Sequence, residues 1–245
     1  MTSSSRRSWL RAALVVTAVF GSRAIARDRY AAARENLLRE IESDMRATAN
    51  ETGHLALGPA VRRALATVQR ERFVPAHLAA SAYENRPLPI GEGQTISQPF
   101  IVALMTELLQ PKPDHVVLEV GTGSGYQAAV LAQCVAKVYS IEIVAPLARR
   151  AREALDAAGY RNVETRIGDG YLGWPEAAPF DGIIVTAAPD HVPPRLIEQL
   201  KPGGRLVIPV GPQRAVQELL VIDRTRDGSS ITRRILAVRF VPLIR

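Results

Sequence analysis

The stretch Val116-Val117-Leu118-Glu119-Val120-Gly121-Thr122-Gly123-Ser124-Gly125 decides the fold. Its first half is a mostly apolar run typical of a buried strand, and its glycines lead directly into a helix predicted from Tyr126. Glycine has no Cβ and adopts positive φ readily, so a nucleotide-like ligand can lie close to the backbone of such a loop. The loop alone does not identify the ligand, because NAD enzymes use a related turn and some glycines serve only helix-strand packing.

Around this loop, short apolar runs alternate with helical patterns. Strands are predicted at residues 115–120, 137–142, 162–167, 180–186 and 204–210, and helices at residues 127–133, 146–158 and 194–200. Two last strands, at residues 218–224 and 231–239, flank Asp227-Gly228 and are expected to pair with each other in antiparallel fashion. The alternation predicts an α/β fold, a Rossmann-like, doubly wound and mostly parallel sheet with antiparallel C-terminal strands.

The chain before residue 99 has a different, mainly helical pattern. Apolar residues recur at helical spacing over residues 27–49, and a second helix is predicted after Pro59. Residues 87–93 contain two prolines and two glycines and are predicted to form a shaped loop. The sequence therefore divides into an N-terminal segment, 1–26, a helical extension with its loop, 27–98, and the domain that carries the glycine loop, 99–245.

The first 26 residues have the three-part pattern of an export signal. A basic start at Arg6-Arg7 precedes a mostly apolar stretch, 9–20, and the small residues Ala24-Ile25-Ala26. The start also resembles a twin-arginine signal, although Trp9 and Arg11 replace the more usual Phe and Lys. The alternatives are an uncleaved amphipathic or anchoring extension and a wrongly chosen start codon. We predict a periplasmic or exported protein without a stable membrane span, since a span needs roughly 20 apolar residues; a cytoplasmic location is the alternative.

Composition argues against nucleic-acid binding and against a metal site. The formal charge of the 245 residues is +7, but residues 1–26 hold four arginines and no acid, which leaves only +3 for the rest. With 5% aromatic residues, this balance does not favour a nucleic-acid partner. The single cysteine, Cys134, and the four scattered histidines provide no disulfide and no paired ligand spacing, so no metal site is predicted.

Three acidic residues lie where predicted strands end near the glycine loop. Glu142 could accept hydrogen bonds from both ribose hydroxyls of an adenosine, and Asp169 could accept one from the adenine amino group. Glu119 could face a cationic group of the ligand. Structural roles are the alternatives: Glu142 beside a helix N-cap, Asp169 in an Asp-Gly turn, and Glu119 as a cap for loop amides. Because acids repel pyrophosphate, the set favours S-adenosyl-L-methionine over NAD.

Several motifs together resemble known families. The glycine loop, followed by Ser140-Ile141-Glu142, Gly168-Asp169-Gly170 and Pro179-Phe180-Asp181, resembles the cofactor site of class I methyltransferases. The upstream segment Leu88-Pro89-Ile90-Gly91-Glu92-Gly93-Gln94-Thr95-Ile96-Ser97-Gln98-Pro99 resembles the signature of protein-L-isoaspartate O-methyltransferases. Three further stretches agree with that family: Arg72-Phe73-Val74-Pro75, Ile184-Val185-Thr186-Ala187-Ala188-Pro189 and Val238-Arg239-Phe240-Val241-Pro242-Leu243. The resemblance spans residues 55–245 and does not include residues 1–54.

This resemblance implies methyl transfer from S-adenosyl-L-methionine to the free α-carboxylate of L-isoaspartyl residues in damaged proteins, by a chain expected to be a monomer. Residues 99–245 would bind the cofactor, and the loop before them would bind substrate. The implied cofactor-binding residues are Glu119, Gly121, Thr122, Gly123, Gly125, Tyr126, Glu142, Asp169 and Gly170. The implied substrate-binding residues are Thr95, Ile96, Ser97 and Gln98, with Ser97 as the catalytic residue. For Ser97, a cap on the helix that starts near Pro99 is the alternative.

Two other functions stay open on the sequence alone. A methyltransferase of the same fold could act on another carboxylate or on a small molecule. An exported protein could also have kept the fold as a noncatalytic binding protein, because S-adenosyl-L-methionine is not expected outside the cytoplasm.

Overall fold

A computed structural model describes residues 28–213 and 215–245, so the predicted export signal lies outside the described residues. The strands are β1 (Leu88–Gly91), β2 (Gln94–Ile96), β3 (Val116–Val120), β4 (Lys137–Glu142), β5 (Val163–Ile167), β6 (Phe180–Val185), β7 (Leu200–Val210), β8 (Gln217–Arg224) and β9 (Ser230–Val238). The α-helices are α1 (Ala31–Ala47), α2 (Ala49–Thr52), α3 (Pro59–Thr67), α4 (Pro99–Leu109), α5 (Tyr126–Ala132), α6 (Ala145–Ala158) and α7 (Pro194–Glu198). Short 3-10 helices span Arg70–Phe73, Ala76–Ser81, Gly170–Leu172 and Pro175–Ala177.

The apolar run before the glycine loop forms the central strand, β3. Val117 packs into one hydrophobic cluster, whereas Leu118 and Val120 pack into another, and all three are fully buried. A strand that is buried on both faces is typical of a parallel sheet with helices on both sides. The alternation of side chains along β3 therefore places this strand in the middle of the molecule.

The sheet has seven strands in the order β5-β4-β3-β6-β7-β8-β9. Strands β3, β4 and β5 follow one another toward one edge, whereas β6 and β7 lie on the other side of β3, all of them parallel. Strands β8 and β9 add in antiparallel fashion. The predicted fold class is confirmed. Because the strand order reverses beside β3, the connections after β3 and β6 diverge and leave a crevice at the carboxyl ends of the strands.

The N-terminal helices share their core with the sheet. Leu37, Leu38 and Met45 of α1 belong to the same hydrophobic cluster as Val117 of β3. The side chain of Asn85 adds a polar link, since its Nδ2 donates to Asp44 on α1 (2.8 Å) and its Oδ1 accepts from the Phe100 amide in α4 (3.0 Å). Helix α1 thus supports the start of α4 through packed side chains. These contacts join the two sides of the predicted domain boundary at residue 98, which stays a prediction.

The hairpin of β1 and β2 was not predicted, since its segment reads as a loop. Leu88 pairs with Ile96. The two strands have only four and three residues, and Pro89 cannot donate a ladder hydrogen bond, so the period-2 pattern is too short to recognise. The turn uses positive φ at Gly91, Glu92 and Gly93. Among the C-terminal strands, β7 begins four residues before its predicted start.

Two further properties of residues 28–213 and 215–245 bear on function. None of their helices is both long enough and apolar enough to cross a membrane. Their histidine, cysteine and acidic side chains form no group of three that could hold a metal ion. Cys134 is buried, and burial raises the pKa of its thiol to about 11, so it is a core side chain and not a reactive thiol.

Candidate active site

The glycine loop is held against the ends of β4 and β6. The amides of Gly121 and Thr122 both donate to the Ile141 carbonyl, at 2.8 and 3.1 Å. Gly121 has a φ of +98°, and a Cβ there would lie 2.5 Å from Oγ1 of Thr186. Gly125, with a φ of +89°, is the N-cap residue of α5, which begins at Tyr126. Glycine is therefore required by both conformation and space, and the exposed backbone of the loop forms one wall of a cleft.

Glu142 holds the loop from the end of β4. Its Oε2 accepts from the Gly123 amide (2.8 Å), and its Oε1 accepts from the Val144 amide (2.9 Å). The side chain lines the cleft although the residue is only 7% exposed. An ionised carboxylate offers about four lone-pair positions, of which these bonds use two. Glu142 can therefore stabilise the loop and still accept two hydrogen bonds from a ligand.

Glu119 lies beneath the loop and does not line the cleft. Its Oε2 accepts from the Ser140 hydroxyl, which also bonds the Thr122 hydroxyl (2.6 Å). The residue is fully buried, and its Oε1 has no hydrogen-bond partner within the described residues. Burial, assisted by the nearby negative charge of Glu142, raises the pKa of Glu119 to about 8. Glu119 is thus connected to the cleft by hydrogen bonds through Ser140 and Thr122.

The segment after β5 brings glycines to the cleft. Gly168 and Gly170 line the cleft. Asp169, which lies between them, does not line it, and its Oδ1 accepts a hydrogen bond from the Tyr171 amide (2.9 Å). A Cβ at Gly170 would lie 2.4 Å from Cγ1 of Val120. Asp169 therefore makes the turn-capping contact that the sequence suggested as its alternative role. Its Oδ2 can still accept other hydrogen bonds.

The cleft lies at the carboxyl ends of β3, β4 and β6. Of the predicted site residues, those that line it are Thr95, Ile96, Ser97, Gly121, Thr122, Gly123, Tyr126, Glu142 and Gly170. Gln98, Glu119, Gly125 and Asp169 do not line it. The structure thus brings the substrate loop and the glycine loop, which are about 25 residues apart in sequence, together in the lining of one cleft.

Thr186 and a C-terminal segment are among the lining residues that were not predicted as site residues. Thr186, after β6, donates from Oγ1 to the Gly121 carbonyl (2.6 Å) and lines the cleft. Residues 241–244 also line it, held by a hydrogen bond from the Leu243 amide to the Ala188 carbonyl (2.9 Å). The sequence-based search followed strand ends and missed a C-terminal tail that folds back. Its only signal was the closing stretch that resembles the family.

Ser97 lies where the cleft meets a second opening, which we call the side groove. The side groove is lined by Pro87, Thr95, Ser97, Gln98, Ile101, Thr186, Val216, Ala237, Val238, Arg239, Phe240 and Val241. The N-cap residue of α4 is Gln98, and no side chain caps that helix. The alternative role of Ser97 as a helix cap is therefore wrong, because the helix begins one residue too late for it.

The cleft fits S-adenosyl-L-methionine better than a dinucleotide. A Cβ at Gly121 or Gly170 would clash with Thr186 or Val120, so glycine lets both turns pack tightly against the strand ends where they line the cleft. Glu142 presents a carboxylate to the cleft, and this negative charge favours a cationic ligand and disfavours a pyrophosphate. Fold and cleft together define a nucleotide-binding α/β protein of the class I methyltransferase type.

Comparison with known proteins gives the family. Residues 44–245 match the family model described as protein-L-isoaspartate(D-aspartate) O-methyltransferase. Protein-L-isoaspartate O-methyltransferase 2 of Syntrophobacter fumaroxidans is 55% identical over 99% of this chain and 98% of its own length. The protein of the same description from Polaromonas sp. is 56% identical over 84% of this chain and 98% of its own.

Solved structures of this family have the same fold as this chain. A protein-L-isoaspartate O-methyltransferase structure superposes with a TM-score of 0.73 at 29% identity, covering 85% of this chain, and this chain spans 65% of that one. A Plasmodium falciparum structure in complex with S-adenosyl-L-homocysteine, at 24% identity and a TM-score of 0.70, shows the shared fold over 88% of this chain. The chain belongs to the protein-L-isoaspartate(D-aspartate) O-methyltransferase family and is an S-adenosyl-L-methionine-dependent enzyme that methylates isoaspartyl residues in proteins.

Proposed function

We propose that Ser97 is the catalytic residue of this enzyme and that it binds and orients the α-carboxylate of an L-isoaspartyl residue, the group that accepts the methyl. The observation that supports this role is the position of Ser97, which lines both the cleft beside the glycine loop and the side groove. A polypeptide in the side groove can therefore present a carboxylate at Ser97 while the cofactor occupies the cleft. Thr95, Ile96 and Gln98 would grip the main chain of the substrate on either side.

The reaction needs alignment more than proton transfer. An α-carboxylate has a pKa of about 3.5 and is ionised at neutral pH, so no strong general base is required. S-adenosyl-L-methionine supplies a methyl group on a positively charged sulfur, which becomes a neutral thioether when the methyl group leaves. The Ser97 hydroxyl would donate a hydrogen bond to one carboxylate oxygen and orient the other toward the methyl carbon in line with the breaking bond.

The product is an ester that rearranges without the enzyme. The backbone nitrogen of the following residue attacks the methyl ester, methanol leaves, and a succinimide ring closes. Water then opens the ring at either carbonyl, so part of the product is normal aspartate and the rest returns for another cycle. Methylation of the α-carboxylate thus initiates repair.

The cofactor would be held by groups that line the cleft and by two acids beside it. Glu142 would accept from both ribose hydroxyls with the two lone-pair positions that Gly123 and Val144 leave open. The backbone of Gly121 and Gly170 would lie along the adenosine, and Asp169 would accept from the adenine amino group with its free Oδ2. Glu119 would act from beneath, since its hydrogen bond through Ser140 to Thr122 fixes the loop.

The decisive experiment is methyl transfer from radiolabelled S-adenosyl-L-methionine to paired peptides that contain isoaspartate or aspartate at the same position. We expect base-labile label on the isoaspartyl peptide alone. Equal labelling of both peptides, or labelling only of a small free carboxylic acid, would contradict the acceptor assignment. A parallel assay with Ser97→Ala separates the role of this residue from the activity of the protein.

We also propose that the chain is exported and that it is a monomer. The support for export is the sequence pattern of Arg6-Arg7, the apolar stretch 9–20 and Ala24-Ile25-Ala26. Fractionation of a bacterial host should show the protein in the periplasm with Arg27 as its first residue, and replacement of Arg6 and Arg7 together by Lys should keep it in the cytoplasm. An unprocessed cytoplasmic protein would contradict export, and light scattering of the purified protein tests the monomer.

A further inference from the structure

Arg70 is a buried arginine that the cofactor and substrate motifs do not include. It lies in the 3-10 helix Arg70–Phe73 and has no exposed surface. No ion pair of the described residues includes it, and its Nη1 has no hydrogen-bond partner there. Burial lowers the pKa of the Arg70 guanidinium to about 10, so the side chain keeps its positive charge at neutral pH. A buried charge without a carboxylate partner is costly for folding, and such groups concentrate at functional sites.

Arg70 contacts two residues that line the active-site cleft. Its Nη2 donates to the backbone carbonyl of Ser97 (2.8 Å), and its Nε donates to the carbonyl of Ala82 (2.8 Å). Its Cζ lies 4.8 Å from the centre of the Tyr126 ring, within the range of a cation-π contact. Ser97, in the proposed substrate loop, and Tyr126, the first residue of α5 after the glycine loop, both line the cleft. One planar guanidinium therefore contacts a residue from each of these two segments.

We propose that Arg70 is a positioning residue for methyl transfer. It fixes the Ser97 carbonyl, and hence the direction of the Ser97 hydroxyl, relative to Tyr126 and the glycine loop. The inference rests on the proposed role of Ser97. Arginine suits this task and lysine does not, because the guanidinium is a rigid planar fork that can donate to two carbonyls and stack on a ring at once. An ammonium group is a point charge on a flexible stem.

Arg70→Lys provides the first test because it retains the charge. A misplacement of about 1 Å at a reacting group costs on the order of 100-fold in rate. We therefore expect kcat for an isoaspartyl peptide to fall between about tenfold and 100-fold, with the KM for S-adenosyl-L-methionine within about twofold of the wild-type value. The matched control is Arg34→Lys. Arg34 is also buried, but it contacts Asp28 and Tyr83, away from the cleft, and its replacement should leave kcat unchanged.

Chemical rescue separates positioning from a structural role. Addition of guanidinium at concentrations well below those that denature proteins should restore kcat of Arg70→Ala in a saturable way. Methylammonium at the same ionic strength should not, because it lacks the planar fork. If Arg70→Ala does not fold, the lysine variant still decides the matter. A folded Arg70→Lys enzyme with wild-type kcat, or an equal loss in Arg34→Lys, would overturn the proposal.

A double-mutant cycle distinguishes failure of this inference from failure of the proposed function. If Arg70 acts through Ser97, Arg70→Lys should lower kcat much less in a Ser97→Ala enzyme than in the wild type. Fully multiplicative losses would show that Arg70 acts elsewhere and would overturn the inference while leaving the role of Ser97 intact. Full activity of Ser97→Ala would instead overturn the proposed role of Ser97, and with it the route by which Arg70 is argued to act.

Discussion

The carboxylate of Glu142 accepts the amide hydrogen of Gly123 across the gap between the ends of two neighbouring strands, with Oε2 2.8 Å from the nitrogen. This single bond joins the acidic end of β4 to the glycine loop that follows β3. Since the other oxygen accepts from Val144 (2.9 Å), the side chain is held in one orientation from both sides. The residue proposed to bind the ribose is therefore preorganised by the loop that it helps to shape.

Glu142→Gln should raise the KM for S-adenosyl-L-methionine by about tenfold to 100-fold, with a smaller effect on kcat. Glutamine has only one acceptor oxygen, so its NH2 group would face a backbone amide and leave one donor unsatisfied. Initial rates at varied cofactor concentration and calorimetric binding measure the two effects. Glu164→Gln, a matched change at an exposed position of the adjacent strand β5, should leave the KM unaltered. A wild-type KM in Glu142→Gln would contradict the ribose role.

Ser97→Ala should lower kcat for the isoaspartyl peptide by about tenfold to 100-fold, the range expected for one hydrogen bond to a charged group. Binding of S-adenosyl-L-methionine should not change, because the proposed hydrogen bond of the Ser97 hydroxyl goes to the substrate carboxylate and not to the cofactor. Single-turnover rates and cofactor titrations separate the two quantities. Ser230→Ala, at the exposed start of β9, serves as the control. Cofactor binding that weakens as much as the rate would argue for a structural role instead.

The sequence predicted those parts of the molecule in which local pattern and tertiary position agree. Strand β3 could be recognised because burial on both faces demands a continuous apolar run, and Gly121 because its positive φ and its approach to Thr186 admit no side chain. Glu142 followed from the rule that ligands bind at the carboxyl ends of parallel strands. A pattern of a few consecutive residues indicates each of these features.

Other parts of the site depend on contacts between distant segments and left no local signal. Arg70 acts on Ser97 across 27 positions, and in sequence it is one of many arginines. Leu243 reaches the cleft only because its amide pairs with the Ala188 carbonyl. The sequence did not indicate that Glu119 is buried beneath the loop, because a strand residue one position from the end can point to either face of the sheet.

Glu119 should make the stability of the protein fall as pH rises. Its pKa is about 8 in the folded protein, against an ordinary value of 4.5, so between these pH values the unfolded chain binds fewer protons than the folded one. The free energy of unfolding must then decrease with pH, with a slope that approaches one proton per molecule. Glu119→Gln, which stays neutral, should lack this component and exceed the wild type in stability near pH 8.

Chemical denaturation at a series of pH values from 5 to 9, without cofactor, measures the slope for each variant. Glu153→Gln, which makes the same change on the exposed face of α6, controls for net charge and should follow the wild-type curve. Parallel curves for Glu119→Gln and the wild type would contradict the prediction and indicate that water or structural relaxation solvates the carboxylate.

Gly121→Ala and Gly203→Ala form a matched pair that isolates steric fit in the glycine loop. Both glycines have positive φ, +98° and +83°, so each substitution carries the left-handed strain of about 1–2 kcal/mol. A Cβ at Gly203 would meet nothing within 4 Å, whereas one at Gly121 would lie 2.5 Å from Oγ1 of Thr186. Gly121→Ala should therefore destabilise the protein more, by on the order of 1–3 kcal/mol beyond Gly203→Ala.

The same pair also tests whether the loop supports cofactor binding. Gly121→Ala must displace Thr186 or the loop backbone, both of which line the cleft, so its KM for S-adenosyl-L-methionine should rise, whereas that of Gly203→Ala should not. Urea unfolding and initial rates provide the two readouts. In the Thr186→Ala background, the added cost of Gly121→Ala should shrink toward that of Gly203→Ala, because the clashing oxygen is gone. An undiminished cost would show that backbone strain, and not contact with Thr186, requires glycine at position 121.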